Sequence, residues 1–353
     1  MKRKTVFPVL ATLLVIALAF ATVSCDRRPT LRIYVWTHYL PESITRQFEQ
    51  EFGVRVTMDY YASNEEMFAR LIAGGIDRGR TRFDIAFPSG DFLPIMQRQG
   101  WLVPINRDLL ENMENIDPVI LAKSADPYLE WSVPYFYGAA GILVNTAMVS
   151  DFEMCWSIFA REDLRGHMVM LDDKREVIGG ALSYLGFSVN SANPAEIAAA
   201  RDHIINYWRP NLIRFDSETF GRDFASGEVW VVHGFPEVVF AEIAGNAQLE
   251  RDTVMFIPQG APAYIGSMVI LNGSRNVELA HKFMSFIHRP EIYAEFANTF
   301  NFPASANVPA RAYANPNPIF TVEQLYYTEL VHDVGSVAFG LFEDAWFNSI
   351  RVE

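Results

Sequence analysis

The run Asp172, Asp173, Lys174, Arg175 and Glu176 puts three carboxyls and two cations within five residues. Two such carboxyls could act as a general acid and base, or they could jointly compensate a bound cation. Acid–base work on a substrate calls for a nucleophile, a metal or a cofactor loop nearby. The chain has no G-x-S-x-G elbow, no P-loop lysine and no H-E-x-x-H pair. Its seven His are scattered without ligand spacing. Gly138 and Gly141 flank two alanines without forming a dinucleotide fingerprint. No metal or cofactor is therefore expected. As a bland loop, the same acidic run would be solvated charge opening a helix over 177–185.

The elements around these residues alternate. Residues 31–36 read as a strand, and Ile44, Phe48 and Phe52 mark one face of a helix over 41–52. Residues 54–58 form a second strand, and a second helix follows over 64–72 with Ser63 or Asn64 as its cap. A third strand over 83–87 is stopped by Pro88. Strands alternating with helices imply a parallel α/β sheet, whose ligand site lies at the carboxyl ends of the strands. Those ends carry Trp36, Thr37, His38 and Tyr39, then Pro88, Ser89, Gly90 and Asp91. Farther on, 192–208 reads as a helix and 228–233 as a strand. Residues 134–144, and the segments 254–258, 260–264 and 267–271 together, read as two crossings between two lobes.

The chain has 353 residues, half of them apolar, so two lobes with real cores are expected rather than one small domain. Abundant aromatics and only 20% charged residues argue against disorder. Two cysteines exclude a disulfide scaffold. Lys2, Arg3 and Lys4 precede an uncharged apolar run over 6–23 that ends in small residues and Cys25. This reads as a secretory signal with Cys25 as the residue lipidated after cleavage; an uncleaved anchor is the alternative. Thr22 stands where a lipobox usually has Leu. Removing three of the 29 basic residues with that signal leaves 26 against 42 acidic, a net charge of −16. Such a surface repels nucleic acid and suits a cationic partner. Cys155 is expected as a small buried apolar side chain.

Taken in order, these blocks resemble a known family. Trp36 to Tyr39, Tyr61 to Glu65, Phe83 to Ser89, Leu171 to Glu176 and Asp333 to Gly335 are similar to the spermidine/putrescine-binding proteins of ABC importers, the PotD and PotF type. The similarity runs over nearly all of 31–350. It implies an α/β, two-lobed periplasmic-binding-protein (Venus-flytrap) fold with two crossover strands. It also implies a protein that binds rather than turns over its ligand and presents it to permease subunits. The lobes would comprise 30–139 with 262–311 and 140–261 with 312–353, after a signal over 1–24 and a lipidated tether over 25–29. The ligand set carried over is Trp36, Thr37 and Tyr39 of the aromatic tetrad, Ser89 with Asp91, and Asp173 with Glu176. Glu237 is the carboxylate of a second-lobe strand end, near Phe235 or His233, and Tyr264 stands at a crossover Trp position. His38, acidic in the family, is kept in the ligand set; the chain departs from the pattern there, at Gly266 (an Asp) and at Val331 (a Gln).

The physical chemistry of the ligand fits such a set. A putrescine or spermidine molecule carries ammonium groups separated by methylenes. Its site needs carboxylates at separated points and flat apolar walls between them. Rings such as Trp36, Tyr39 and Tyr264 can cover methylenes and add cation–π attraction of about 0.5–2 kcal/mol each. Of the two polyamines, putrescine is favoured, because one carboxylate is missing at Gly266. Two other readings follow from the same residues. One is the same fold holding an amino acid or other zwitterion, with Arg175 meeting its carboxylate. The other is a surface enzyme using Asp173 and Glu176 as acid and base. Localisation is expected to be periplasmic or extracytoplasmic, with a membrane anchor through the N-terminal lipid.

Overall fold

The computed structural model describes residues 28–37 and 39–351; Cys25, the signal segment and His38 lie outside the described residues. Two mixed sheets carry the fold. The first contains β1 (Thr30–Trp36), β2 (Arg55–Tyr61), β3 (Ile85–Ala86), β4 (Ser132–Gly138), β10 (Pro262–Ile270) and β11 (Glu329–Leu330). Its order is β11-β10-β3-β1-β2, with β4 also paired to β10. The second contains β5 (Gly141–Asn145), β6 (Met168–Met170), β7 (Leu212–Phe215), β8 (Val231–Gly234) and β9 (Thr253–Phe256), in the order β7-β6-β8-β5-β9.

Strand β1 is parallel to both β2 and β3, as the alternating pattern predicts. The sheet is nevertheless mixed, because the crossover strand β10 runs antiparallel to β3 and β4. The first crossing is Ala139 and Ala140 between β4 and β5, and the second is 257–261 between β9 and β10. Each sheet buries both faces, since period-two alternation sends successive side chains to opposite sides. Leu31, Ile33 and Val35 of β1 join one cluster of the first lobe, while Tyr34 joins the other. In β5, Ile142 and Val144 face one cluster of the second lobe and Leu143 the other.

Three expectations change. Phe320 and Leu325 pack in the first-lobe core and β11 pairs with β10, so 312–330 belongs with the first sheet rather than the second. The chain returns to the second lobe with the helix Gly335–Ala345, whose Phe342 and Ala345 join that core. Cys155 is only half-buried, and its Sγ lies 2.7 Å from Ser157 Oγ and 3.7 Å from Glu153 Oε2, a polar rather than an apolar setting. The helix expected from residue 177 begins at Lys174. Asp173 caps it, its Oδ1 accepting from the backbone N–H of Arg175 and Glu176 at 2.7 and 3.1 Å. Among the described residues no helix is long and apolar enough to cross a membrane.

Candidate ligand-binding site

Asp173 and Glu176 sit three residues apart at the start of one helix, yet their surroundings differ completely. Asp173 is exposed and spends one oxygen on the helix cap. Glu176 is 1% exposed, because its position on the helix faces strand β8. There its Oε2 lies 3.2 Å from Nε2 of the fully buried His233. Burial raises the Glu176 carboxyl above its usual range, and the His233 contact opposes that shift.

Tyr264, on β10, faces this acidic end. Burial and then the charges of Glu176, Asp173 and Asp91 push its phenol well above the ordinary value. Asp91 follows the carboxyl end of β3 in the first lobe. Burial drives it up to about 7, against the pull of Arg175, while Asp173 and Glu65 push it further. The fold thus brings Asp91, Asp173, Glu176 and Tyr264 together from both lobes. Among the described residues, Asp91 Oδ1, Glu176 Oε1, the Tyr264 hydroxyl and Arg175 Nε are fully covered and make no hydrogen bond of ordinary geometry, although the Tyr264 hydroxyl stands close enough to Glu176 to lower its carboxyl. An uncompensated buried polar atom costs about 1–3 kcal/mol. These carboxyls, the phenol and the guanidinium lie close enough to shift one another's ionisation, which makes them a candidate set for a polar ligand.

Tyr39 sits in a cluster of rings. Its ring packs against Tyr135, Phe87, Phe136 and Phe296 at centroid distances of 5.1, 6.1, 6.1 and 6.4 Å. Its phenol is raised by burial, then by Tyr293 and by Glu237 of the second lobe. Glu237, in the first turn of the helix Pro236–Ile243, is itself pushed up to about 7 by burial. Glu237 is thus felt by Tyr39, while Glu176, Asp173 and Asp91 are felt by Tyr264.

Trp36 and Ser89 join the first-lobe rim less directly. The Trp36 indole N–H donates to the Phe87 carbonyl at 2.8 Å, and its ring lies 4.8 Å from that of Tyr61. Ser89 is buried, accepts from Asn64 Nδ2 at 2.6 Å and bridges to Gly266 of β10. Thr37 is exposed, its hydroxyl 3.4 Å from the Tyr61 carbonyl. His233 lies beneath Glu176 and supplies no wall, whereas Phe235 is 39% exposed. Val331, the Gln position of the resembling family, is buried and donates its N–H to Ala263.

Gly266 explains how the site works without a side chain there. A Cβ at this position would come within 2.2 Å of the Tyr39 hydroxyl and 3.2 Å of its Cζ. The phenol occupies the place a side chain would take. Because the Tyr39 ring is wedged among four other rings, Gly266→Ala is expected to cost about 1–3 kcal/mol of stability as the ring is forced aside. A shift of the urea midpoint at constant slope would measure it; an unchanged midpoint would mean that the ring swings away freely.

Sequence reasoning passed over Asn64, Glu65 and Lys174 as site-shaping residues. Their signal was available: Asn64 and Glu65 follow the carboxyl end of β2, where an α/β sheet places ligand groups. Among the described residues no group of three or more His, Cys, Asp or Glu is arranged to hold a metal ion.

The profile of the bacterial extracellular solute-binding protein family matches residues 43–321. The chain is 31% identical over 302 residues to the spermidine/putrescine-binding periplasmic protein of Escherichia coli K12, covering 85% of this chain and 84% of that one. It is 28% identical over 287 residues to the putrescine/cadaverine-binding protein of Pseudomonas aeruginosa PAO1, covering 78% and 79%. Among solved structures, the TpPotD lipoprotein of Treponema pallidum superposes with a TM-score of 0.87 at 41% identity, over 91% of this chain and 99% of that one.

Proposed function

Because this chain belongs to the bacterial extracellular solute-binding proteins, we propose that it captures a polyamine, putrescine or spermidine, between its lobes and delivers it to an ABC permease. The observation that carries this reading is the set of covered oxygens on Asp91, Glu176 and Tyr264 that make no hydrogen bond of ordinary geometry, the two carboxyls being felt by the phenol. An ammonium group supplies the hydrogen-bond donors these atoms need, and its charge balances carboxyls that burial alone would keep protonated. Glu237 and the Tyr39 ring provide the second point, so a doubly charged aliphatic chain can bridge the two. Trp36 and Tyr264 cover its methylenes. Putrescine is the favoured occupant, since Gly266 brings no carboxylate to the Tyr39 end.

Closure follows from the same contacts. Asp91 and Tyr264 belong to the first lobe and Glu176 and Glu237 to the second, so a ligand touching both sets stabilises only the form in which they meet. Cys25 carries the lipid anchor in this reading and keeps the protein beside its permease at the outer face of the membrane. The zwitterion reading rests on Arg175, whose buried Nε has no hydrogen-bond partner although the rest of its guanidinium is held. Its Nη2 donates to Asn190 Oδ1 at 2.9 Å and its guanidinium lies 4.8 Å from the Phe342 ring centroid. Calorimetric titration of the purified protein with putrescine, spermidine and a panel of amino acids tests the proposal. Saturable binding of a polyamine is expected; no heat and no thermal shift with any polyamine at millimolar concentration would sink it.

A further inference from the structure

Lys174 stands in the acidic run but points away from the carboxyls it neighbours in sequence. Its side chain is only 12% exposed. The ammonium lies 4.6 Å from the Phe339 ring centroid and 3.7 Å from Glu343 Oε1, both on the helix Gly335–Ala345 of the second lobe. Held there, it reaches across to Glu65 Oε1 at 3.3 Å, on the first-lobe helix Asn64–Gly74. A second ion pair joins the same helix to the first lobe. Arg98, at the end of Leu93–Arg98, donates to Asp333 Oδ2 at 2.7 Å, while Asp333 Oδ1 accepts from the Gly335 N–H that opens the helix.

We infer that Lys174 is a positioning residue: with Arg98 and Asp333 it forms a two-point ionic latch that holds the lobes shut over the site. The Lys174 pair spans the lobes directly, whereas Asp333 lies on the segment that joins them, two residues past Val331, which bonds to first-lobe Ala263. Lys174 is largely covered, but Glu65 and Arg98 are 60% and 62% exposed, so both pairs weaken as salt rises. The Phe339 ring and Glu343 hold the ammonium in place before Glu65 arrives, which reduces the side-chain entropy lost on closing. The Glu65 charge is also felt at Asp91, so the latch closes within electrostatic reach of the ligand site.

Population arithmetic gives the effect. A ligand that binds the closed form sees an apparent affinity scaled by the closed fraction. Pairs of this kind contribute modestly, so Lys174→Gln combined with Arg98→Gln is expected to speed ligand release by about three- to tenfold, with association little changed. Lys174→Arg should restore the slower release. The binding arm rests on the polyamine reading; a second arm does not. Spin labels placed one on each lobe of the full chain report interlobe distance without any ligand. The double variant should populate longer distances than the parent protein at low salt, and Lys174→Arg should return them. Identical distance distributions in parent and double variant would overturn the latch, whatever ligand the protein binds. So would an unchanged release rate in a double variant that still binds putrescine.

Discussion

Replacing Glu176 by Gln is expected to weaken polyamine binding by about 30-fold to several thousand-fold, the range given by losing one member of a buried charge pair. The geometry makes this the largest single-residue effect at the site. Glu176 is 1% exposed, so water cannot substitute for the lost charge once an ammonium is in place. Gln keeps the volume and can still meet His233, which isolates charge from shape. Stability of the ligand-free protein should hold or rise, because a covered carboxyl with an unpaired oxygen is itself a burden. Asp173→Asn is the natural comparison. Asn still caps the helix, and the exposed position lets solvent screen the missing charge, so its loss of affinity should be smaller. Calorimetry of the two variants against the parent decides the matter. An affinity for Glu176→Gln within threefold of the parent would remove Glu176 from the ligand set.

Affinity is also expected to fall steeply as the solution is acidified through neutrality. Asp91 and Glu237 are both pushed up to about 7, principally by burial. Each attracts an ammonium only when ionised, so binding must first remove whatever proton it carries. Between about pH 8 and pH 6 this lowers affinity by about tenfold for each carboxyl that meets the ligand, while putrescine itself stays doubly charged. The ligand-free protein should respond in the opposite sense. A carboxyl whose folded value lies above its unfolded one binds protons more tightly when folded. Its contribution to stability is therefore greatest in acid and declines as pH rises from about 4 to 7. Glu176, raised in the same direction, adds to this slope. Titrations at several pH values, paired with thermal scans of the free protein, check both halves. Affinity that is flat from pH 8 to 6 would mean that neither Asp91 nor Glu237 touches the ligand.

Short-range patterns control those features of the protein that are legible from residue order. Alternation in residues 31–36 specifies a strand, and Ile44 and Phe48 specify one helix face; both appear as expected, while burial of Tyr34 on the second face of β1 comes from the fold. The two crossings after Gly138 and before Pro262 were likewise legible, because a strand pattern interrupted by small or turn-forming residues marks a change of sheet. The order of the acidic and aromatic blocks pointed to the family. Tertiary structure alone decided how neighbours in one run divide their roles. Asp173 caps in solvent, Glu176 is sealed beneath the second sheet, and Lys174 reaches the opposite lobe, although all three lie within four residues. It also decided that 312–330 packs on the first lobe and that the Tyr39 phenol fills the space left by Gly266. These outcomes depend on which distant surfaces meet, and desolvation and charge pairing are set by those meetings rather than by local periodicity.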